Sequence, residues 1–210
     1  MHAYILLDRS GSMQSLWVEA LSSVNAYAKE LANKKDGDAV DSHITLATFD
    51  SQESLVFDVL RRRQPALHWE AVTDKDATPR GMTPLLDALG RIIALAETDA
   101  PDKAVIVVMT DGQENASREV TREGAKSALD RAKARGWDVV FLGANFDNIG
   151  DASSVGVAGG QQMSMAPAAM ATSMERLAKK SRAYFARGEK HVFEEADREA
   201  AHEAEVKGRK

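Results

Sequence analysis

Three short runs of consecutive apolar residues, Tyr4–Leu7, Val105–Met109 and Val139–Leu142, constrain the fold of this chain more than any other feature. Each ends in a polar or glycine-containing turn, and each is followed by a stretch with helical periodicity. A strand with one wet face alternates apolar and polar residues, whereas an unbroken apolar run suits a parallel sheet covered on both faces. The covering helices are readable. Leu16 to Ala32 places Val18, Leu21, Val24, Tyr27 and Leu31 at three- and four-residue spacing, and Pro84 to Leu95 does the same with Leu85, Leu89, Ile92 and Ile93. Ser117 to Arg135 predicts a more polar helix, stopped by Gly136 where a C′ glycine belongs.

Between the first two helices lie Ile44–Phe49 and Leu55–Leu60, joined by Asp50-Ser51-Gln52-Glu53. So short a link permits only antiparallel pairing. The order predicts an α/β fold, a doubly wound, Rossmann-like sheet that is mostly parallel, with one antiparallel edge strand and helices on both faces. A short last strand is expected near Gln161–Met165, then a helix from Pro167 to about Arg187. Residues 1–187 read as one domain, and 188–210 as a charged helical appendage with Val192, Phe193 and Ala196 as a thin apolar stripe.

Composition narrows the function. The 210 residues are 44% apolar, enough for a core, and Lys+Arg 27 against Asp+Glu 32 leaves a formal charge of −5. Nucleic-acid and anionic-membrane binders need a basic stripe, so neither partner is expected. The longest apolar run, Ala104 to Met109, is far short of the roughly 20 residues that span a bilayer. With no cysteine there is no disulfide, thiolate metal site or cysteine nucleophile. Met1 and His2 lead straight into the apolar Ala3–Leu7 and then Asp8, which does not resemble an export signal, so a cytoplasmic location is expected.

In doubly wound sheets function collects at the carboxyl ends of the strands. Three polar turns fall there: Asp8-Arg9-Ser10-Gly11-Ser12, Arg80-Gly81-Met82-Thr83-Pro84, and Thr110-Asp111-Gly112-Gln113-Glu114-Asn115. Asp8, Ser10 and Ser12 recur at every second residue, so an extended chain aims all three one way. Thr83 supplies another hydroxyl and Asp111 a second carboxylate. An all-oxygen set with no His or Cys suits Mg²⁺ or Mn²⁺ rather than zinc. Ser10, Ser12 and Thr83 are also helix-capping residue types, and Pro84 reads as an N1 proline behind Thr83.

Asp8-x-Ser10-x-Ser12, Thr83 in Gly-Met-Thr-Pro-Leu and Asp111 in Thr-Asp-Gly together resemble the metal-ion-dependent adhesion site of von Willebrand factor A domains. All five positions of that pattern are filled, in order. Phe141-Leu142-Gly143-Ala144-Asn145, with Asp197-Arg198 in a Glu/Ala-rich tail, is more loosely similar to small stand-alone members from bacteria and their phages. The resemblance implies a Mg²⁺ site completed by a carboxylate from a partner protein. It also implies the client classes, an AAA-type ATPase or an assembly component.

The expected function is therefore a Mg²⁺-dependent protein-interaction module without catalysis. The rival class is a metal-dependent hydrolase or phosphatase of haloacid-dehalogenase type. That chemistry wants an acid two residues after the first aspartate; Ser10 stands there, and only Glu114 or His68 offers a base. A structural subunit with a vestigial metal site is the third reading. Arg9, Gln14, Arg80, Gln113 and Asn115 are candidate rim residues, and Trp17 is expected in the core. Met163, Met165, Met170 and Met174 read as core filling, and Arg61-Arg62-Arg63 as solvated surface. In the acidic tail Glu194 and Glu195, beside Phe193, are the candidates for reaching the metal of a neighbouring molecule in self-association.

Overall fold

The computed structural model describes residues 1–33, 40–111, 114–143, 152, 153 and 155–208. Six strands form one sheet: β1 His2–Asp8, β2 His43–Ser51, β3 Leu55–Pro65, β4 Ala104–Thr110, β5 Asp138–Gly143 and β6 Gln162–Ser164. Their spatial order is β3-β2-β1-β4-β5-β6, all parallel except β3, which pairs antiparallel with β2 at one edge. β1 and β4 are buried throughout, as their unbroken apolar runs require. The order reverses between β1 and β4, which opens a crevice at their carboxyl ends.

Two cores flank the sheet. Ile5, Leu7, Val105 and Val107 face α1 (Trp17–Leu31) and α4 (Met170–Arg187), while Tyr4, Leu6, Ile106 and Val108 face α2 (Leu85–Asp99) and α3 (Arg122–Ala134). Trp17 is in the first core, its indole N–H donating to Ala77 O at 2.9 Å. The four methionines fill that same core. Val18 departs from the expected apolar stripe: it is 73% exposed, and Ala20 and Ala28 are buried in its place.

Helix starts were the least readable boundaries. A 3₁₀ turn over Gly11–Leu16 precedes α1, and another over Pro167–Ala169 precedes α4. α3 begins at Arg122 rather than Ser117 because Asp87 accepts the backbone N–H groups of Arg118, Glu119 and Val120 at 2.7–3.0 Å, holding them as a loop. Thr121 then caps the helix by accepting from Gly124 N. Gly136 does follow α3 with φ 79, the left-handed conformation a C′ residue needs. The arginine triplet is largely paired: Arg61 contacts Asp76, and Arg62 holds Asp99 through both terminal nitrogens.

The tail, read from the sequence as a charged helical appendage, packs against the first core. Phe193 and Ala201 lie in the first core, whereas Val192 is 51% exposed and Ala196 is also exposed, so the expected stripe is not the packed one. Phe193, beside Glu194 and Glu195, is buried in its own domain at 5% exposure. Two short helices follow, α5 Glu195–Ala200 and α6 Glu203–Lys207. Glu203 accepts Ser164 N at 3.0 Å, and Arg198, paired with Glu203, donates to Gln162 O at 3.2 Å. These side chains satisfy the outward polar groups of edge strand β6, protection that short edge strands need.

Candidate metal centre

The site is assembled where β1 and β4 end. Asp8 is the last residue of β1 and is fully buried. One of its oxygens accepts Ser10 N at 2.7 Å, and the other accepts Thr110 Oγ1 at 2.6 Å. The chain bends at Ser10, whose hydroxyl lies 3.1 Å from Ser12 Oγ, and Ser12 Oγ donates to Asp111 Oδ1 at 2.8 Å. Four of the five residues singled out in the sequence are thus joined in one hydrogen-bonded array, Asp8–Ser10–Ser12–Asp111.

Thr83 arrives on a separate loop that is strapped down on three sides. Arg80 N donates to Arg9 O at 2.7 Å and Gly11 N to Gly81 O at 3.1 Å. Met82 and Ser51 exchange both backbone bonds at 3.0 Å. Thr83 N donates to Asn115 Oδ1, and Asn115 N returns a bond to Thr83 O. This packing explains Gly81: its φ is 70, and a Cβ there would lie 2.2 Å from Ser51 O. Thr83 is 2% exposed, and among the described residues its hydroxyl makes no hydrogen bond with the other four.

The capping alternative does not account for these hydroxyls. Neither Ser10 before the 3₁₀ turn nor the residue before α2 makes a side-chain cap bond. Pro84, read from the sequence as N1, occupies the cap position itself. The first turn of α2 is satisfied instead by Glu114 and Ser117, which accept from Leu86 N at 2.9 and 3.1 Å.

The two residues considered as bases for a hydrolase, Glu114 and His68, have other places in the fold. Glu114 Oε1 accepts Ala116 N and Ser117 N, so both its oxygens are occupied in holding the loop. His68 follows β3, whose Pro65 pairs with His43 and thence His2, at the end of the sheet opposite Asp8. Among the rim candidates, Gln14, Arg80 and Asn115 are exposed, Gln113 lies outside the described residues, and Arg9 is only 5% exposed. Arg9 points behind the site, its Nε 2.5 Å from Asp50 and its terminal nitrogen 2.6 Å from Asp58.

Among the described residues neither Asp8 nor Asp111 forms an ion pair with Lys, Arg or His. Burial pushes the Asp8 carboxyl up to about 6, against the opposing bonds from Thr110 and Ser10, and the charge of Asp111 adds to the rise. Burial also raises Asp111, opposed by the bond from Ser12. No described cluster holds three or more His, Cys, Asp or Glu that could bind a metal. What meets instead is two carboxylates and two serine hydroxyls, with the Thr83 loop strapped beside them, and oxygen donors of this kind fit a hard divalent cation. Thr110, buried against Asp8, is the contact that sequence reading gave no role; its position before Asp111 at a strand end was the available signal.

Solved structures share this architecture at low identity. The von Willebrand factor domain of the pilus tip protein Mfa5 from Porphyromonas gingivalis aligns with TM-score 0.62 and 12% identity, over 90% of this chain and 97% of that one. Manganese-loaded TRAP protein from Plasmodium vivax aligns with TM-score 0.55 and 16% identity, over 82% and 70%. Proximal thread matrix protein 1 from the mussel byssus, with a zinc-occupied MIDAS motif, gives TM-score 0.60 and 15% identity, over 85% of this chain and 47% of that one. The chain spans about half the length of the mussel structures it matches. At such identities the likeness establishes the fold. No curated protein matches the sequence. No helix among the described residues is long and apolar enough to cross a membrane. The sequence itself matches the family described as von Willebrand factor type A domain over residues 3–206, and the chain is a member of that family.

Proposed function

We propose that this domain binds a partner protein by presenting a divalent cation, Mg²⁺ or Mn²⁺, to an Asp or Glu of that partner. Asp8, Ser10, Ser12, Thr83 and Asp111 would hold the ion. One observation carries the reading: a buried and a half-buried carboxylate are joined through two serine hydroxyls at the sheet's switch point, and among the described residues no Lys or Arg is paired to them. Two negative charges balance a dication, and the hydroxyls add none, so the bound ion would stay receptive to one more anionic ligand. When bound, the ion supplies a fixed positive charge for that ligand. The protein's own part is to keep the donors converged and to direct Arg9 elsewhere.

The non-enzymatic reading is supported by the engagement of Glu114 and by the place of His68, which leave the described part of the site without a general base. The partner classes suggested by the family, an AAA-type ATPase or an assembly component, belong to the same proposal. The test is affinity capture from the native host in Mg²⁺ and in EDTA, with Asp8→Ala as control. A partner retained only by the wild-type protein in Mg²⁺ supports the proposal. Equal capture in all three samples overturns it and leaves a structural subunit with a vestigial site. Asp8-dependent turnover of phosphate or ester substrates would favour the hydrolase.

A further inference from the structure

Asp50 is the last residue but one of β2, wholly buried, and it lies outside the five candidate ligands. A single oxygen, Oδ2, takes Arg9 Nε at 2.5 Å and Arg80 Nε at 3.1 Å. Its other oxygen is buried and has no hydrogen-bond partner. A carboxylate left half unsatisfied in a dry position is costly unless both cations stay in place. Arg9 stands between Asp8 and Ser10, and Arg80 begins the loop that delivers Thr83. The same two residues are joined through their backbones, Arg80 N to Arg9 O. The loop of Asp8, Ser10 and Ser12 and the loop of Thr83 thus meet on one buried anion.

We propose that Asp50 is the positioning residue of the candidate metal centre: by gripping Arg9 and Arg80 on one oxygen, it fixes the Thr83 loop against the Asp8–Ser12 loop and keeps the Arg9 guanidinium away from the two ligand carboxylates. The inference rests on the metal-binding reading of that centre. Without Asp50, Arg9 would keep only Asp58, whose side chain is 49% exposed and therefore a weak, screened partner. A buried guanidinium beside Asp8 would then compete with the dication, and Thr83 would lose its register with the other donors. Groups that orient ligands without touching the metal typically change its affinity by about 10–100-fold.

Two readouts test this, one with metal and one without. Calorimetric titration with Mn²⁺ should show binding that Asp50→Asn weakens about tenfold or more. Arg80→Gln, at a side chain that is 46% exposed, should weaken it severalfold. In metal-free protein, hydrogen exchange at the Arg80, Gly11 and Met82 amides should accelerate in both variants, while Val105–Met109 stays protected. Mn²⁺ affinities within about twofold of wild type, or unchanged exchange at those three amides, would overturn the role of Asp50. If wild type takes up no Mn²⁺ while the variants still exchange faster, the strap stands as written and the metal reading of the centre has failed.

Discussion

Two buried aspartates at opposite ends of the sheet behave in opposite ways. Asp138, at the start of β5, accepts His191 N at 2.9 Å and His191 Nδ1 at 2.8 Å, and its other oxygen is 2.9 Å from Lys190 Nζ. Its carboxyl is held below the usual range by those bonds although burial alone would raise it. Asp8, at the end of β1, is held among the described residues by hydroxyls and a backbone N–H rather than by a cation, and burial raises its carboxyl to about 6. Glu203 repeats the first pattern: Ser164 N, Arg198 and Lys207 lower it against burial. At Asp138 and at Glu203 this chain supplies a cation from its own sequence. At the switch point it withholds one. The contrast separates an anion compensated by cations of its own chain from one that, under the proposed function, would be compensated by a bound dication.

The comparison can be broken by mutation. Asp138→Ala should cost about 3 kcal/mol or more, because it strands His191 and Lys190 and loosens the tail. Asp8→Asn in metal-free protein should stay within about 0.5 kcal/mol of wild type or exceed it, because it removes an uncompensated charge. Urea denaturation of both variants checks this, and an Asp8→Asn loss as large as that at Asp138 would erase the distinction. Metal sharpens it further. Mn²⁺ at a hundred times its Kd should add about 2.7 kcal/mol to wild type by mass action and nothing to Asp8→Asn, read as a melting-temperature shift.

Acid should weaken the foot of the sheet. His2 is 3% exposed and bonded to Thr45 Oγ1, and burial depresses its pKa from 6.5 to about 3. Between those values the unfolded chain binds a proton that the folded chain does not. Stability therefore falls as pH drops through that window, by up to about 1.4 kcal/mol per pH unit from this group. The lowered carboxyls of Asp99, Asp138 and Glu203 add loss of the same sign as pH falls further. The raised carboxyl of Asp8 works the other way, gaining stability as pH falls below about 6. The contribution of His2 is therefore read as the difference in melting temperature between wild type and His2→Gln, which should shift against wild type from pH 6.5 to pH 4. The smallest effect is expected from Thr83→Ala. Its hydroxyl caps no helix, so stability should shift by about 0.5 kcal/mol or less. Metal-dependent capture of a partner should weaken all the same. Unfolding of this variant would show that the hydroxyl mainly supports the loop.

The legible features were those whose signal is local. Unbroken apolar runs fixed β1, β4 and β5, because a strand covered on both faces must be apolar at every position. The hairpin followed from its short turn, and the α1 and α2 faces from spacing. The five oxygen-bearing residues stood out because three of them recur at every second residue and the others lie in Thr-Pro and Thr-Asp-Gly signals, although the chain bends at Ser10 and Ser12 stands in a 3₁₀ turn rather than an extended segment. Boundaries set by distant partners did not stand out. The start of α3 depends on Asp87, about 30 residues upstream. Glu114 looked available for chemistry until the N-terminus of α2 was seen to rest on it.

The chain's own order of residues was enough to determine a two-faced parallel sheet, its switch point and the oxygen-rich loops that converge there. Only the tertiary structure decided which charges in those loops are answered. Arg9 lies next to Asp8 in sequence yet pairs with Asp50, 41 residues away, and the tail is fastened by His191 to Asp138, 53 residues away. Hydrophobic periodicity repeats along the chain and can be read there. Compensation of a buried charge depends on which side chains meet in a low-dielectric interior, and that is set by packing across the fold.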